Sequence, residues 1–264
     1  MLAAGVVLLA FVGFEFTLSA LLYDRSQVAL LDSFKGSIVA TNLDDPTAPL
    51  AEGRPIAILS IPSIRLDEVV VEGTSPDDLK LGPGHLASTP LPGEFGNSVF
   101  AGRRSTYGAP FDRLNELTKG NLIIVTTGQG RFQYKVSQVG RAGLGEASPL
   151  QGTLDNRLTL ITSDSEFYPT GRLVVIAMLQ GQAASIATRP PAPVASSDTG
   201  LSGNLIGLVL GVVFGQLLGA AIWAAFRVGA RLPLSVTLMF AVPVVLALGV
   251  LAFTSLDLAL PATL

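Results

Sequence analysis

The chain has 264 residues, no cysteine and a single histidine, His85. Without cysteine it can form no disulfide, offer no thiolate to a metal and use no thiol nucleophile. With one histidine it has no His/Cys cluster at zinc-ligand spacing, so neither a metal nor a cofactor is expected. Charge is sparse as well. Only 14% of residues are Asp, Glu, Lys or Arg, the net charge is −3, and no clustered basic face of the kind that nucleic acids require is visible. Against that stands a hydrophobic content of 49%, and the balance points to a membrane protein carrying a modest folded domain.

Three apolar runs account for the surplus. Residues 1–22 are interrupted only by Glu15 and, at about 1.5 Å per residue, are long enough to cross a hydrocarbon core of roughly 30 Å. No basic leader or small-residue cleavage site is evident, so this run reads as a retained anchor rather than a signal peptide. Glu15 is costly in lipid: it either pairs inside the membrane or snorkels toward the surface near Tyr23 and Asp24. Two more spans are predicted at residues 205–226 and 234–256. The 227–233 loop between them carries Arg227 and Arg231, which places it in the cytoplasm. A multi-pass protein follows, with the 257–264 tail and the folded domain on the extracellular side.

Gly203, Gly207, Gly211, Gly215 and Gly219 recur at every fourth position and put bare backbone along one helix face, which allows close helix approach in lipid. That face packs either on the chain's own third span around Pro243 and Ala247, or on a second copy or a separate membrane partner. Residues 23–54, with Asp44-Asp45-Pro46, read as a tether, and residues 183–204, with Arg189-Pro190-Pro191, as a semi-extended linker.

Between them, residues 55–182 have a different character. Short β-branched and aliphatic runs at residues 56–61, 67–71, 97–101, 121–127, 131–142, 157–162 and 172–179 alternate with turns such as Thr127-Gly128-Gln129-Gly130, a pattern that predicts a mainly β closed barrel. One short helix is predicted over Ala109–Leu117, with Pro110 in its first turn and Lys119-Gly120 at its end. Within this domain Leu158–Val175 reads as two buried strands joined by a polar loop, so Ser163 and Arg172 face each other across a strand pair.

The run Thr159-Leu160-Ile161-Thr162-Ser163 resembles the sortases, Gram-positive cell-wall transpeptidases whose nucleophilic cysteine ends a Thr-Leu-x-Thr-Cys strand and whose arginine opens the next strand. Ala101-Gly102-Arg103-Arg104-Ser105-Thr106-Tyr107-Gly108-Ala109-Pro110-Phe111 is similar to the family's Gly-His-Arg-Thr-x-Tyr-Gly-Ala-Pro-Phe. Gly82-Pro83-Gly84-His85 and Leu91-Pro92-Gly93-Glu94-Phe95-Gly96-Asn97 extend the match in the family's order. The resemblance implies a sortase-like barrel of about eight strands, to which the chain adds three transmembrane helices.

It also implies a degenerate site. The family's cysteine falls on Ser163, its histidine on Arg103, and its arginine is retained as Arg172. Sortase-type acyl transfer needs a thiolate to attack a peptide carbonyl, a histidine to protonate the leaving amine and an arginine for the oxyanion; only the last is present. A serine hydroxyl is a weak nucleophile without a base, and an arginine with a pKa above about 12 is no base. Arg103 and Arg172 leave two fixed positive charges at one groove, lined also by Thr162 and Tyr107. Asp164 and Glu166 are the nearest acids in sequence to neutralise them, and a ligand carboxylate is the alternative. No catalytic residue is therefore expected, and the leading reading is a non-catalytic binding or scaffolding subunit of a cell-envelope complex. The alternative is a residual serine-based peptidase or transpeptidase acting on cell-surface sorting motifs through Ser163 and Arg172. A peptide or carboxylate in the groove and a membrane protein or second copy on the glycine face are the partners implied.

Overall fold

The computed structural model describes residues 19–40, 50–143, 145–165, 170–183, 205–229 and 234–259. Its β part is built from β1 (Pro55–Ile61), β2 (Leu66–Glu72), β3 (Gly84–His85), β4 (Asn97–Ala101), β5 (Leu122–Thr127), β6 (Gly130–Gly143), β7 (Arg157–Ser163) and β8 (Gly171–Gln180). These eight strands close in the order β1-β2-β3-β4-β7-β8-β6-β5. Closure satisfies every sheet edge, and it leaves each strand one face for the interior. Along β1 the alternation is clean: Ala57, Leu59 and Ile61 are fully buried, and they join Phe100, Leu158, Leu160, Val175 and Ala177 in one core cluster. At roughly 1.5–3 kcal/mol for each large side chain removed from water, that cluster is the main source of the barrel's stability.

Seven of the eight strands match the apolar runs of the sequence. The eighth, β3, is two residues long and carries no hydrophobic pattern; it exists because Gly84 and His85 pair in parallel with Val71 and Glu72 and antiparallel with Ala101 and Phe100. β4 and β7 run parallel, with Ala101 opposite Ile161, and β7 pairs antiparallel with β8. Three strand ends therefore meet at one place.

The helix predicted over Ala109–Leu117 does not form. Tyr107, Gly108 and Ala109 all take positive φ (48°, 74° and 46°), which no right-handed helix accepts, and the segment continues as successive tight turns with a single 3-10 turn at Leu114–Glu116.

The tether predicted at residues 23–54 is also corrected. Helix α1 (Ser19–Ala40) occupies much of it, and its Tyr23 and Phe34 are buried. Tyr23 donates its hydroxyl to Glu68 Oε2 at 2.9 Å, and Gln27 acts as a side-chain surrogate for a backbone: it donates to the carbonyls of Val69 (3.2 Å) and Leu81 (2.7 Å) and accepts from the Val69 amide (2.7 Å). α1 is thus docked on β2 and on the short helix α2 (Asp78–Leu81).

Two further helices, α3 (Leu205–Gly229) and α4 (Leu234–Ala259), pack on each other and form a compact unit separate from the barrel's. Among the described residues one helix is long and apolar enough to cross a membrane, through Val209–Arg227 of α3, whereas α4 has only a shorter apolar run, Ala241–Ala252. Of the three predicted spans, the second is thus a candidate among the described residues, the third is a helix with a shorter apolar run, and residues 1–18 of the first lie outside the described residues. The linker at residues 184–204 and the tail beyond residue 259 lie outside them as well.

Candidate functional site

Ser163 is the last residue of β7, Arg172 the second of β8, and the two are register partners in the antiparallel ladder, as the sequence predicts. Both are buried, at 1% and 8% exposure. The adjoining end of β4 is fixed to β7 by two hydrogen bonds: the Thr162 hydroxyl donates to the Gly102 carbonyl (2.8 Å), and the Gly102 amide donates to the Ile161 carbonyl (3.1 Å). Only glycine fits at position 102, since a Cβ there would stand 2.5 Å from Cδ2 of Phe111. The next residue in the chain is Arg103.

Arg103 is 2% exposed and is built into its surroundings. Its Nη1 donates to the Thr106 hydroxyl at 2.9 Å and its Nη2 makes a longer contact to the Pro76 carbonyl at 3.5 Å. The guanidinium lies 4.8 Å from the centroid of the Tyr107 ring, a cation–π contact, and Lys80 Nζ stands 5.8 Å from the same ring. The run of left-handed residues at 107–109 is what turns Tyr107 back toward Arg103. Where the family's sequence has an imidazole, this chain therefore has a fixed cation with an aromatic and hydroxyl cradle of its own.

Asp164 does not behave as the sequence suggests. Asp164 is not a counter-charge for the arginines: its carboxylate accepts from the Thr170 amide (3.0 Å) and the Thr170 hydroxyl (2.8 Å), and its amide donates to the Gly171 carbonyl (3.2 Å), closing the neck of the β7–β8 loop. Burial works to raise its pKa, but the bonds from Thr170 and Gly171 prevail and hold it below the usual carboxylate range. Glu166 lies outside the described residues, as do Glu15 and Gly203. The Arg172 side chain makes no hydrogen bond or ion pair among the described residues, and burial pulls its pKa below the usual arginine value.

Arg104 was not singled out by the sequence. It is 7% exposed, and its Nε and Nη1 are buried without a hydrogen-bond partner. Its electrostatic neighbour is Asp112, whose carboxyl is pushed up by burial while Arg113 and Arg104 pull it back. The motif carried this residue, but it fell between two positions of apparent chemical interest.

His85 serves elsewhere. It is fully enclosed, with Nδ1 2.8 Å from Glu72 Oε2 and Nε2 3.0 Å from the Pro90 carbonyl and 3.1 Å from the Thr89 hydroxyl, and its ring meets Phe100 edge-on. Both nitrogens are committed to the junction of β2, β3 and β4, so the chain's one imidazole is not available to Ser163. No group of three or more potential metal-binding side chains occurs among the described residues. On α3, Gly211 is buried, whereas a Cβ added to Gly215 or Gly219 would meet nothing within 4 Å. Packing on the chain's own α4 thus does not explain the stripe at those two positions.

Residues 59–180 match the Sortase domain family. Over 84 residues the chain is 38% identical to sortase D of Bacillus subtilis, which covers 32% of this chain and 41% of that protein. Over 126 residues it is 27% identical to sortase A of Listeria monocytogenes, covering 47% of this chain and 56% of the relative. The chain spans about half the length of these curated relatives. Among solved structures, a Clostridium perfringens sortase D5 transpeptidase aligns with a TM-score of 0.52 at 25% identity, over 61% of this chain and 99% of that one. Through its barrel the chain belongs to the sortase family.

Proposed function

We propose that this chain is a catalytically inactive sortase-family protein that serves as a binding or scaffolding subunit in a bacterial cell-envelope complex. It is held in the membrane, in a multi-pass arrangement with the barrel on the extracellular side. The observation that carries this reading is Arg103. A degenerate site drifting without purpose would leave a solvated or disordered side chain at the histidine position; here a buried guanidinium is stacked on Tyr107 and bonded to Thr106. The position supplies a permanent charge in place of a proton donor, and proton donation to the leaving amine is the step that an arginine cannot perform. Ser163 supplies a neutral hydroxyl in place of a thiolate, and His85 is held by Glu72, Thr89 and Pro90. The groove then binds rather than turns over, and its ligand is a peptide or a carboxylate. The open glycine positions of α3 are where a membrane protein or a second copy would sit.

A serine-directed fluorophosphonate tests this. Incubated with the full-length protein in mild detergent, it leaves Ser163 unmodified while labelling an active serine hydrolase in the same tube. Stoichiometric labelling of Ser163, lost in Ser163→Ala, would establish an activated nucleophile and favour the residual serine-based transpeptidase instead.

A further inference from the structure

Two side chains of α1 converge on the surroundings of Arg103. Tyr23 and Gln27 stand four residues apart and so share one face of the helix. Tyr23 lays its ring against the 107–109 turn: a Cβ on Gly108 would stand 2.3 Å from its Cδ1 and 2.6 Å from its Cε1. One helical turn on, Gln27 holds the end of α2. It donates to the Leu81 carbonyl (2.7 Å) and fills the space beside Gly82, where a Cβ would stand 2.4 Å from its Nε2. These two places are the supports of the Arg103 guanidinium. The turn supplies Thr106 and the Tyr107 ring, and the segment running into α2 supplies the Pro76 carbonyl, with Lys80 beside the same Tyr107 ring.

The attachment of α1 is built differently from the barrel beneath it. Among the described residues, none from α1 belongs to the barrel's core cluster. Its grip is the buried rings of Tyr23 and Phe34 together with the bonds from Tyr23 to Glu68 and between Gln27 and Val69 and Leu81, while Leu21, Leu22 and Val28 stay exposed. A helix held by a few bonds and two rings opens at a lower free energy than strands that share a closed ladder and one core. α1 also begins inside the first predicted apolar run, residues 1–22, so it is the stretch of chain that joins that run to the site.

We propose that α1 is a detachable latch on the Arg103 cradle. Docked, it fixes the 107–109 turn and α2 around the guanidinium; undocked, it frees both. Tyr23 and Gln27 are then positioning residues that act through Tyr107 and Pro76, and the segment leading out of the first apolar run controls whether the groove is formed. The latch does not depend on whether Ser163 reacts.

The test uses the full-length protein in mild detergent, with two readouts by mass spectrometry: amide hydrogen exchange, and modification of Arg103 by phenylglyoxal, with the exposed Arg141 as the reference for an open guanidinium. In the parent, Arg103 reacts far more slowly than Arg141. Tyr23→Ala and Gln27→Ala accelerate exchange in α1 and at residues 105–109, and modification of Arg103, together and on the order of 10-fold or more, while β5 and β7 stay protected. Tyr23→Phe keeps the ring on Gly108 and restores the protection of Arg103. Exchange in the unmodified protein at low denaturant keeps the result independent of any variant's folding: α1 and residues 105–109 open as one unit, before β5 and β7. Acceleration confined to α1 with Arg103 unchanged, separate opening of α1 and residues 105–109 in the parent, or an Arg103 that reacts as fast as Arg141 in the parent, each overturns the latch. Any of these leaves the inactive reading standing if Ser163 is unlabelled by the fluorophosphonate, and a labelled Ser163 overturns that reading while leaving the latch.

Discussion

Glu68 should make the docking of α1 depend on pH, and in a direction opposite to most acids. Its carboxyl sits where α1 meets β2, receiving the Tyr23 hydroxyl at 2.9 Å. Burial, helped by the negative charges of Asp24 on α1 and Asp67 on its own strand and partly offset by the Tyr23 bond, pushes its pKa from 4.5 up to about 7. Tyr23 is pushed upward in turn, by burial first and then by Glu68, and so remains a donor throughout. A raised native pKa means that the folded state holds the proton more tightly than the unfolded one. The stabilisation is therefore complete below about pH 4.5 and is lost as pH rises through about 7. The shift corresponds to at most about 3 kcal/mol, and partial solvent access to Glu68 brings the expected effect to about 1–3 kcal/mol. Glu68→Gln keeps an acceptor for Tyr23 and removes the titration. Melting curves in detergent at pH 5 and pH 8 should show the parent losing more stability than the variant, by a difference of about 3–10 °C. Other titrating groups are common to both proteins and cancel in that difference. Parallel melting profiles across the range would refute the placement of Glu68 in a buried joint.

Three further outcomes follow from the same geometry. Gly108→Ala should destabilise by about 1–3 kcal/mol, because its φ of 74° is strained for alanine and the new Cβ would stand 2.3 Å from Cδ1 of Tyr23; chemical denaturation measures it. Gln27→Ala removes the partner of the Val69 amide and of two carbonyls, at a cost of about 2–4 kcal/mol, and hydrogen exchange should show the Val69 amide among the most accelerated. Arg103→His combined with Ser163→Cys reinstates the family's residues, yet we expect little or no transpeptidation, because Thr106, Pro76 and Tyr107 are arranged around a guanidinium and a misplacement of about 1 Å is costly to catalysis. Robust cleavage of a sorting-motif peptide by that double variant would show a groove still tuned for turnover.

What the sequence disclosed depended on whether the signal was local. β1, β4, β7 and β8 announce themselves because a buried strand needs β-branched and aliphatic residues over several positions, and the Ser163–Arg172 pairing follows from two such strands and the loop between them. β3 was invisible because two residues carry no period; its pairing is imposed by β2 and β4. Helix α1 was hidden for a different reason. Its buried Tyr23 and Phe34 and its half-buried Gln27 do fall at helical spacing, but between the two aromatics stands a glutamine whose value lies in bonding a distant backbone, which composition alone reads as polar. The short helix at 109–117 failed because local propensity was overridden by the left-handed turn that brings Tyr107 to Arg103. At the site, the identities of Arg103, Ser163 and Arg172 were legible from the motifs, whereas their partners were not: proximity in sequence assigned Asp164 to the arginines, and the structure gives it to Thr170.

The most direct test of the central claim is turnover by the unmodified protein. The full-length chain in detergent is incubated with a sorting-motif peptide carrying a fluorophore and a quencher on either side of the scissile bond, with and without an added amine acceptor, and products are followed by fluorescence and mass spectrometry. The absence of an imidazole at position 103 and of a thiolate at position 163 predicts no cleavage and no transfer above the buffer control. Cleavage or transfer that disappears in Ser163→Ala would contradict it.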